Sequence, residues 1–178
     1  MRFVVVAVIL LAGSFGLGST DSKCFAKSLD SPNNTLERSQ KEIQIENAFS
    51  PGTGAENLVL RLIDSAKSTI RLAAYSFTSP KIVYALLSAK HRGVDVQLVV
   101  DDKGNRSRSS ISAINILLGA DIPVRANSKY AIHHDKYMVV DDLHVQTGSF
   151  NYSQAAAKSN SENVLVVWFD RTGLPLIQ

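Results

Sequence analysis

Short apolar segments with the two-residue period of a strand alternate with segments of helical period along most of this chain. From residue 42 to residue 168, three strand–helix pairs precede a short extended stretch, a hairpin, a short helix and a last strand. Such alternation predicts an α/β domain, a mixed sheet flanked by helices. At 178 residues the chain has the length of one domain.

Local signals set the predicted boundaries of these elements. Ser79 followed by Pro80 favours a helix start, Gly119 marks a helix stop, and Asp141-Asp142 marks the turn of the hairpin. The predicted strands cover residues 42–49, 69–75, 94–100, 122–124, 137–140, 144–147 and 163–168. The predicted helices cover residues 58–66, 79–92, 109–118 and 153–158.

The first residues have the layout of a secretory signal peptide. Arg2 supplies a positive charge, residues 3–12 are an unbroken apolar run, and Gly and Ser dominate as far as Ser19. We expect a periplasmic or secreted protein with no stable membrane association after cleavage; an uncleaved membrane anchor is the alternative. The chain is predicted to comprise a signal peptide (1–19), a flexible leader (20–41) and a folded domain (42–178).

Residues 132–151 carry the side chains whose chemistry is most informative. His134 and Lys136 are two residues apart, so in an extended segment they point to the same face. An imidazole and an ammonium aimed at one point suit a phosphodiester. The ammonium neutralises the non-bridging oxygens, while the imidazole attacks phosphorus or moves a proton.

A second group of polar residues follows within reach of that pair. Ser149 and Asn151 are again two apart and offer hydroxyl and amide donors to the same oxygens, while Gly148 allows close passage of the backbone. Glu162 is a candidate acceptor for one ring nitrogen of His134, which would fix the tautomer and leave the other nitrogen free to attack.

This arrangement resembles the phospholipase D superfamily, whose signature is His-x-Lys, four residues, Asp, and then Gly-Ser-x-Asn. The matching positions are His134, Lys136, Asp141, Gly148, Ser149 and Asn151. Tyr75–Ser79 and Val99–Asp101 are also similar to the short bacterial endonucleases of that family, and the resemblance covers about residues 42–168. It implies a phospholipase D-like domain.

The resemblance also implies a mechanism. It predicts catalytic roles for His134, Lys136, Asp141, Ser149, Asn151 and Glu162, a covalent phosphohistidine intermediate, and no metal or other cofactor. Asp141 has an alternative role as a brace of its turn. Adjacent carboxylates on a strand point to opposite faces, so the pairs Asp101-Asp102 and Asp141-Asp142 are poor chelates. The single motif resembles the branch that builds one active site across a homodimer.

The predicted substrate is nucleic acid, with DNA first and RNA second. A net charge of +3 and a pI of about 9.0 are compatible with a polyanionic partner. Lys103, Arg106 and Arg108 are candidates to hold its backbone, unless they form a solvated loop face. The first alternative is a lipid phosphodiesterase, although neither an apolar entry surface nor an interfacial helix stands out. The second is an inactive truncated binding protein, because short family members usually continue past the last strand into a final helix.

Overall fold

In the computed structural model, which describes residues 43–169, seven strands form a single sheet that is flanked by helices. The predicted fold class is thereby confirmed. The predicted signal peptide and leader lie outside the described residues. The strands are β1 (Ile43–Ser50), β2 (Thr69–Ala74), β3 (Asp95–Asp101), β4 (Val124–Asn127), β5 (Lys136–Val140), β6 (His144–Gly148) and β7 (Glu162–Phe169). The helices are α1 (Gly54–Ser65), α2 (Pro80–His91), α3 (Arg108–Gly119) and α4 (Gln154–Lys158).

The sheet has the strand order β1-β7-β6-β5-β2-β3-β4. Strands β2, β3 and β4 are parallel neighbours, and their connections run through α2 and α3 as parallel crossovers require. All other neighbouring pairs are antiparallel. The sheet is therefore a parallel half joined to an antiparallel half, and the junction is the pairing of β2 with β5.

The helices form where apolar residues recur at helical spacing, and a serine side chain caps the start of α2, α3 and α4. In α1 the side chains of Leu58, Val59, Leu62 and Ile63 are almost completely buried. Each contributes roughly 1.5–3 kcal/mol through burial. Helix α2 begins as predicted, because the Ser79 side chain accepts a hydrogen bond from the Ile82 amide at 3.5 Å and Pro80 occupies the first turn.

Strand β4 differs from its predicted boundaries at both ends. The apolar pattern placed it at residues 122–124, whereas it spans Val124–Asn127. Ile122 is buried and donates its amide hydrogen to the Leu117 carbonyl at 3.0 Å, so it ends the turn after α3. Pro123 has no amide hydrogen for the ladder, and regular pairing with β3 begins at Val124.

Gly119 is also not the residue that reverses the chain after α3. It is the last residue of the helix, and Asp121 instead adopts a left-handed conformation with φ 55°. Aspartate tolerates this region better than most residues, which explains why a glycine is not required there. Within residues 43–169, none of the helices is both long and apolar enough to cross a membrane.

Asp141 lies at the opposite end of β5 from Lys136. The five-residue separation along a strand corresponds to about 17 Å. Its carboxylate accepts the amide hydrogens of Lys67, Ser68 and Thr69 at 2.7–3.2 Å, and also the Ser68 hydroxyl at 2.9 Å. The structure therefore does not bring Asp141 into the predicted catalytic group, and its contacts match the alternative role as a brace.

These contacts control the ionisation of Asp141. Partial burial raises the pKa of its carboxyl group, but the donors of Thr69, Ser68 and Lys67 outweigh burial and hold the pKa below its usual range. A carboxylate with a lowered folded-state pKa stabilises the protein above its unfolded pKa. That contribution is lost as the pH falls through the folded pKa.

We predict that Asp141→Asn lowers the free energy of unfolding at pH 7 by about 2 kcal/mol, because charge-assisted hydrogen bonds are replaced by weaker ones. The difference from the wild type should shrink as the pH falls below about 4. Urea denaturation at pH 7 and at pH 3 measures both values. Asp142→Asn is the matched control, because Asp142 is exposed and shares the left-handed conformation, with φ 53°. An equal loss of unfolding free energy in both variants would contradict the bracing role of Asp141.

Candidate active site

Strand register brings the predicted site residues to one edge of the sheet. Ala74 at the end of β2 pairs with Lys136 at the start of β5, and Tyr137 pairs with Thr147 near the end of β6. Gly148 then pairs with Val164, close to the start of β7. Residues far apart in the sequence, namely His134, Lys136, Ser149, Asn151 and Glu162, therefore belong to segments that meet at this edge.

His134 and Lys136 are close together, as their spacing predicts. His134 is exposed and lies two residues before the start of β5, whereas only 7% of Lys136 is exposed. The Lys136 Nζ donates a hydrogen bond to the His134 carbonyl oxygen at 2.8 Å. The ring of Tyr75 contacts both, with its centroid 4.6 Å from the His134 ring centroid and 5.2 Å from the Lys136 Nζ.

The ammonium of Lys136 is partly removed from water. Burial lowers its pKa, and the negative charges of Glu162 and Asp135 oppose that shift. An ammonium in such surroundings interacts more strongly with an arriving anion than one in bulk water, because the local dielectric constant is lower. Lys136 thus has the position and the environment of a phosphate-binding group.

Glu162 does not hold the position predicted for it relative to His134. Its Oε1 accepts a hydrogen bond from the Asn160 Nδ2 at 2.9 Å, and no hydrogen bond links it to His134 in the described part of the chain. Its interaction with the site is electrostatic and is directed at Lys136. The prediction that Glu162 fixes the imidazole tautomer is therefore not matched by this geometry.

The loop after β6 presents the remaining predicted donors. The Ser149 Oγ accepts the Asn163 amide hydrogen at 3.0 Å, which leaves the hydroxyl hydrogen available to a ligand. The Ser149 amide in turn donates to Asn163, to its side-chain Oδ1 at 3.2 Å and its carbonyl oxygen at 3.1 Å. Asn151 is half-buried, and its Oδ1 is inaccessible to water and lacks a hydrogen-bond partner.

Gly148 is the residue that allows this loop to approach β7. It has φ 148°, and an added Cβ would lie 2.2 Å from the Asn163 carbonyl oxygen. A side chain is therefore excluded by contact with the backbone as well as by conformation. This is the close passage that the sequence predicts for Gly148.

Two buried polar residues that the sequence analysis did not select support the edge. The Asp101 Oδ1 accepts the His133 amide hydrogen at 2.7 Å, and its Oδ2 accepts the Gly104 amide hydrogen at 2.6 Å. The Asn105 Nδ2 donates to the Tyr75 carbonyl at 2.7 Å, and its Oδ1 accepts the Phe77 amide hydrogen at 2.9 Å. Their position at and just after the end of β3 was the available signal, because ligands of α/β sheets lie at the carboxyl ends of parallel strands.

The three candidate backbone-binding cations are distributed unevenly. Lys103 is beside the site, because its Nζ lies 3.5 Å from the Ala131 carbonyl, in the loop before His134. Arg106 forms an ion pair with Asp102, and Arg108 is exposed at the start of α3. Among residues 43–169, no group of three or more His, Cys, Asp or Glu side chains is arranged to hold a metal ion.

An exposed imidazole, a partly buried ammonium and a hydroxyl donor on one sheet edge define a site for phosphoryl transfer. In such an arrangement an imidazole can act as the nucleophile or proton carrier, and an ammonium and a hydroxyl can stabilise charge on the phosphoryl oxygens.

Comparison with known proteins agrees with this class. The family model described as "Cardiolipin synthase, PLD-like domain" matches residues 59–172. Phospholipase D of Rickettsia bellii is 33% identical over 124 residues, which are 70% of this chain and 61% of the relative. Mitochondrial cardiolipin hydrolase of Xenopus tropicalis is 32% identical over 108 residues, 61% of this chain and 50% of the relative.

Among solved structures, Nuc of Salmonella typhimurium, a phospholipase D family member, has 49% sequence identity and a TM-score of 0.71. The match covers 72% of this chain and 84% of Nuc. The chain belongs to the phospholipase D superfamily, so the predicted family is confirmed. The aligned part of the chain corresponds to about 61% of the length of the first Rickettsia relatives.

We predict that Gly148→Ala lowers both stability and activity, because the new methyl group displaces the loop that carries Ser149 and Asn151. The free energy of unfolding should fall by about 2 kcal/mol or more. Chemical denaturation and phosphodiester hydrolysis report the two losses. Gly93→Ala is the control, since φ is 90° there but no atom lies within 4 Å of the added Cβ. An equally mild effect at both positions would contradict the steric role of Gly148.

Proposed function

We propose that this protein is a metal-independent phosphodiesterase that hydrolyses nucleic acid, DNA first and RNA second, as an endonuclease with little sequence preference. The observation that carries the proposal is the group formed by His134, Lys136 and Ser149 at one sheet edge, with the Lys136 Nζ 2.8 Å from the His134 carbonyl oxygen. The 49% sequence identity of this chain to Nuc, whose name denotes a nuclease, favours nucleic acid as the substrate.

The reaction proceeds in two displacements. A ring nitrogen of His134 attacks phosphorus, an N–P bond forms, and the P–O bond to the leaving group breaks while the partner subunit's His134 protonates the leaving oxygen. Water then attacks phosphorus and gives a proton to that second imidazole, and the N–P bond breaks. Lys136, Ser149 and Asn151 stabilise the charge on the non-bridging oxygens in both steps.

Two further features belong to the same proposal. The second imidazole requires a symmetric homodimer, because one chain contributes one copy of His134. Export to the periplasm or the medium follows from the apolar run at residues 3–12 and its flanks. A nuclease with little sequence preference acts away from the genome of its own cell in that location.

Lipid phosphodiester hydrolysis is the second candidate function. The relatives named phospholipase D and mitochondrial cardiolipin hydrolase favour it, since their names describe lipid substrates. Both substrates present the same phosphodiester to His134 and Lys136, so the chemistry of the site does not separate them. The surrounding charge favours nucleic acid, because the exposed Lys103 lies beside the loop that leads to His134.

We predict that the purified protein degrades plasmid DNA in excess EDTA and that His134→Ala abolishes this activity. Lys136 and the donor loop supply the charge stabilisation, and loss of the nucleophile should raise the barrier by about 5 kcal/mol or more. Agarose gels follow the DNA, and vesicles of phosphatidylglycerol and cardiolipin tested in parallel report lipid hydrolysis. His91→Ala is the control, because His91 is exposed at the end of α2.

Each outcome of this assay has a distinct meaning. Hydrolysis of vesicles but not of DNA would replace the first function with the second. Activity that disappears in EDTA and returns with magnesium would contradict metal independence. A fully active His134→Ala variant with an unchanged circular dichroism spectrum would remove His134 from the mechanism.

The shared site makes a separate prediction about mixed dimers. Equal amounts of wild-type and His134→Ala chains, unfolded together and refolded, should retain about a quarter of the wild-type activity, because only homodimers of wild-type chains contain two imidazoles. Independent monomers would retain about half. Sedimentation velocity on the same samples measures the oligomeric state, and a fully active monomer would exclude the shared site.

A further inference from the structure

Tyr75 contacts both residues of the proposed catalytic pair, although nothing in its sequence pattern assigns it a role. Its ring centroid lies 4.6 Å from the His134 ring centroid, with the two planes inclined by 60°. The Lys136 Nζ lies over the same ring, 5.2 Å from its centroid. The two groups that must act on a single phosphorus atom therefore contact a common aromatic surface.

The turn after β3 supports Tyr75. The Tyr75 carbonyl accepts a hydrogen bond from the buried Asn105 side chain at 2.7 Å. Gly104 supplies the necessary space, because a Cβ there would lie 2.8 Å from the Tyr75 carbonyl oxygen and 3.1 Å from the Tyr75 Cε2. Both supporting residues belong to the turn after β3, whereas His134 precedes β5. The position of the ring is therefore fixed by a segment other than the one that carries His134 and Lys136.

The imidazole of His134 depends on this contact. His134 is exposed and precedes the first residue of β5, and no hydrogen bond reaches its ring from the described residues. Without a neighbouring surface, an exposed side chain samples several rotamers. The aromatic contact of Tyr75 restricts that sampling, and attack on phosphorus requires the ring nitrogen in one orientation.

The same ring acts on Lys136 through a different interaction. A cation is attracted to the face of an aromatic ring, and the attraction is stronger where water is partly excluded. Lys136 is buried and also donates to the His134 carbonyl, so the ring and that carbonyl define where its ammonium lies. The distance between the ammonium and the imidazole is therefore set by two contacts of the Tyr75 ring, one with His134 and one with Lys136.

We propose that Tyr75 is a positioning residue: its aromatic face orients the His134 imidazole and the Lys136 ammonium relative to each other. The role in turnover rests on the proposed phosphodiesterase function, whereas the orienting contact exists whether or not DNA is the substrate. The ring is the active part, and its hydroxyl group is dispensable.

The kinetic test compares Tyr75→Phe with Tyr75→Leu. The phenylalanine variant keeps the ring and should retain kcat within about threefold, whereas the leucine variant should lose about tenfold to a hundredfold in kcat. Tyr84→Leu is the matched control, because Tyr84 is an exposed tyrosine on α2. Equal losses in the leucine and phenylalanine variants, or none in either, would overturn the proposal.

An NMR measurement tests the orientation without reference to activity. A ring centroid 4.6 Å away should shift the Cε1 proton of His134 by its ring current, and the His134→Ala spectrum identifies that signal among the four histidines. The shift should persist in Tyr75→Phe and disappear in Tyr75→Leu. If the wild type hydrolyses nothing but the shift behaves in this way, the contact stands and the proposed function fails. If hydrolysis is normal but the shift is unaffected by Tyr75→Leu, the positioning role fails.

Variants behind the ring keep the test valid if Tyr75→Leu folds poorly. Asn105→Asp replaces the amide donor with a carboxylate that faces the Tyr75 and Asp101 carbonyls. Gly104→Ala pushes directly on Tyr75. Each variant should both reduce kcat and alter the His134 signal, and a variant with a larger loss of kcat should show a larger change in that signal. Reduced kcat with an unchanged His134 signal in these variants would contradict action through Tyr75.

Discussion

Strand β5 is the element on which the rest of the structure depends. It pairs with β2 on one side and with β6 on the other, and so joins the parallel half of the sheet to the antiparallel half. Since side chains alternate along a strand, a shift of one residue in this register would move Lys136 from the buried face to the other face. The fold and the site therefore share one constraint, the alignment of Lys136 with Ala74.

The polar groups at the two ends of β5 differ in how well the protein satisfies them. At one end Asp141 receives four donors from the turn before β2, which satisfies its carboxylate. At the other end the ammonium of Lys136 is partly desolvated, and the Asn151 Oδ1 is buried without a hydrogen bond. Such features are unfavourable for folding and useful to a ligand that supplies the missing charge and donors.

Much of the fold was predictable because its signals are local. The Ser79-Pro80 start of α2, the Asp141-Asp142 turn of the hairpin and the strand periodicities each depend on neighbouring residues. The proximity of His134 and Lys136 was predictable for the same reason, because the two residues are only two apart in the sequence. The family resemblance added the connection to Gly148, Ser149 and Asn151.

The remaining features depend on contacts between distant parts of the chain. Asp141 and its donors at Lys67–Thr69 are separated by 72–74 residues in the sequence. The signature treats Asp141 as one position among six, and spacing alone does not reveal that it lies at the far end of β5. Glu162 is a different case, because its hydrogen-bond partner Asn160 is only two residues away, and the motif spacing does not indicate that contact.

Backbone contacts on either side of His134 also explain how a short chain can hold its reactive side chains in fixed positions. His134 lies in a loop, but its neighbour His133 is tied through the backbone amide to Asp101, and Lys136 is already part of β5. The backbone of the His-x-Lys segment is thus fixed on both sides of His134, and only the imidazole orientation is left to a side-chain contact. A loop anchored in this way loses little further entropy when a phosphodiester binds, so binding energy is available for the displacement at phosphorus.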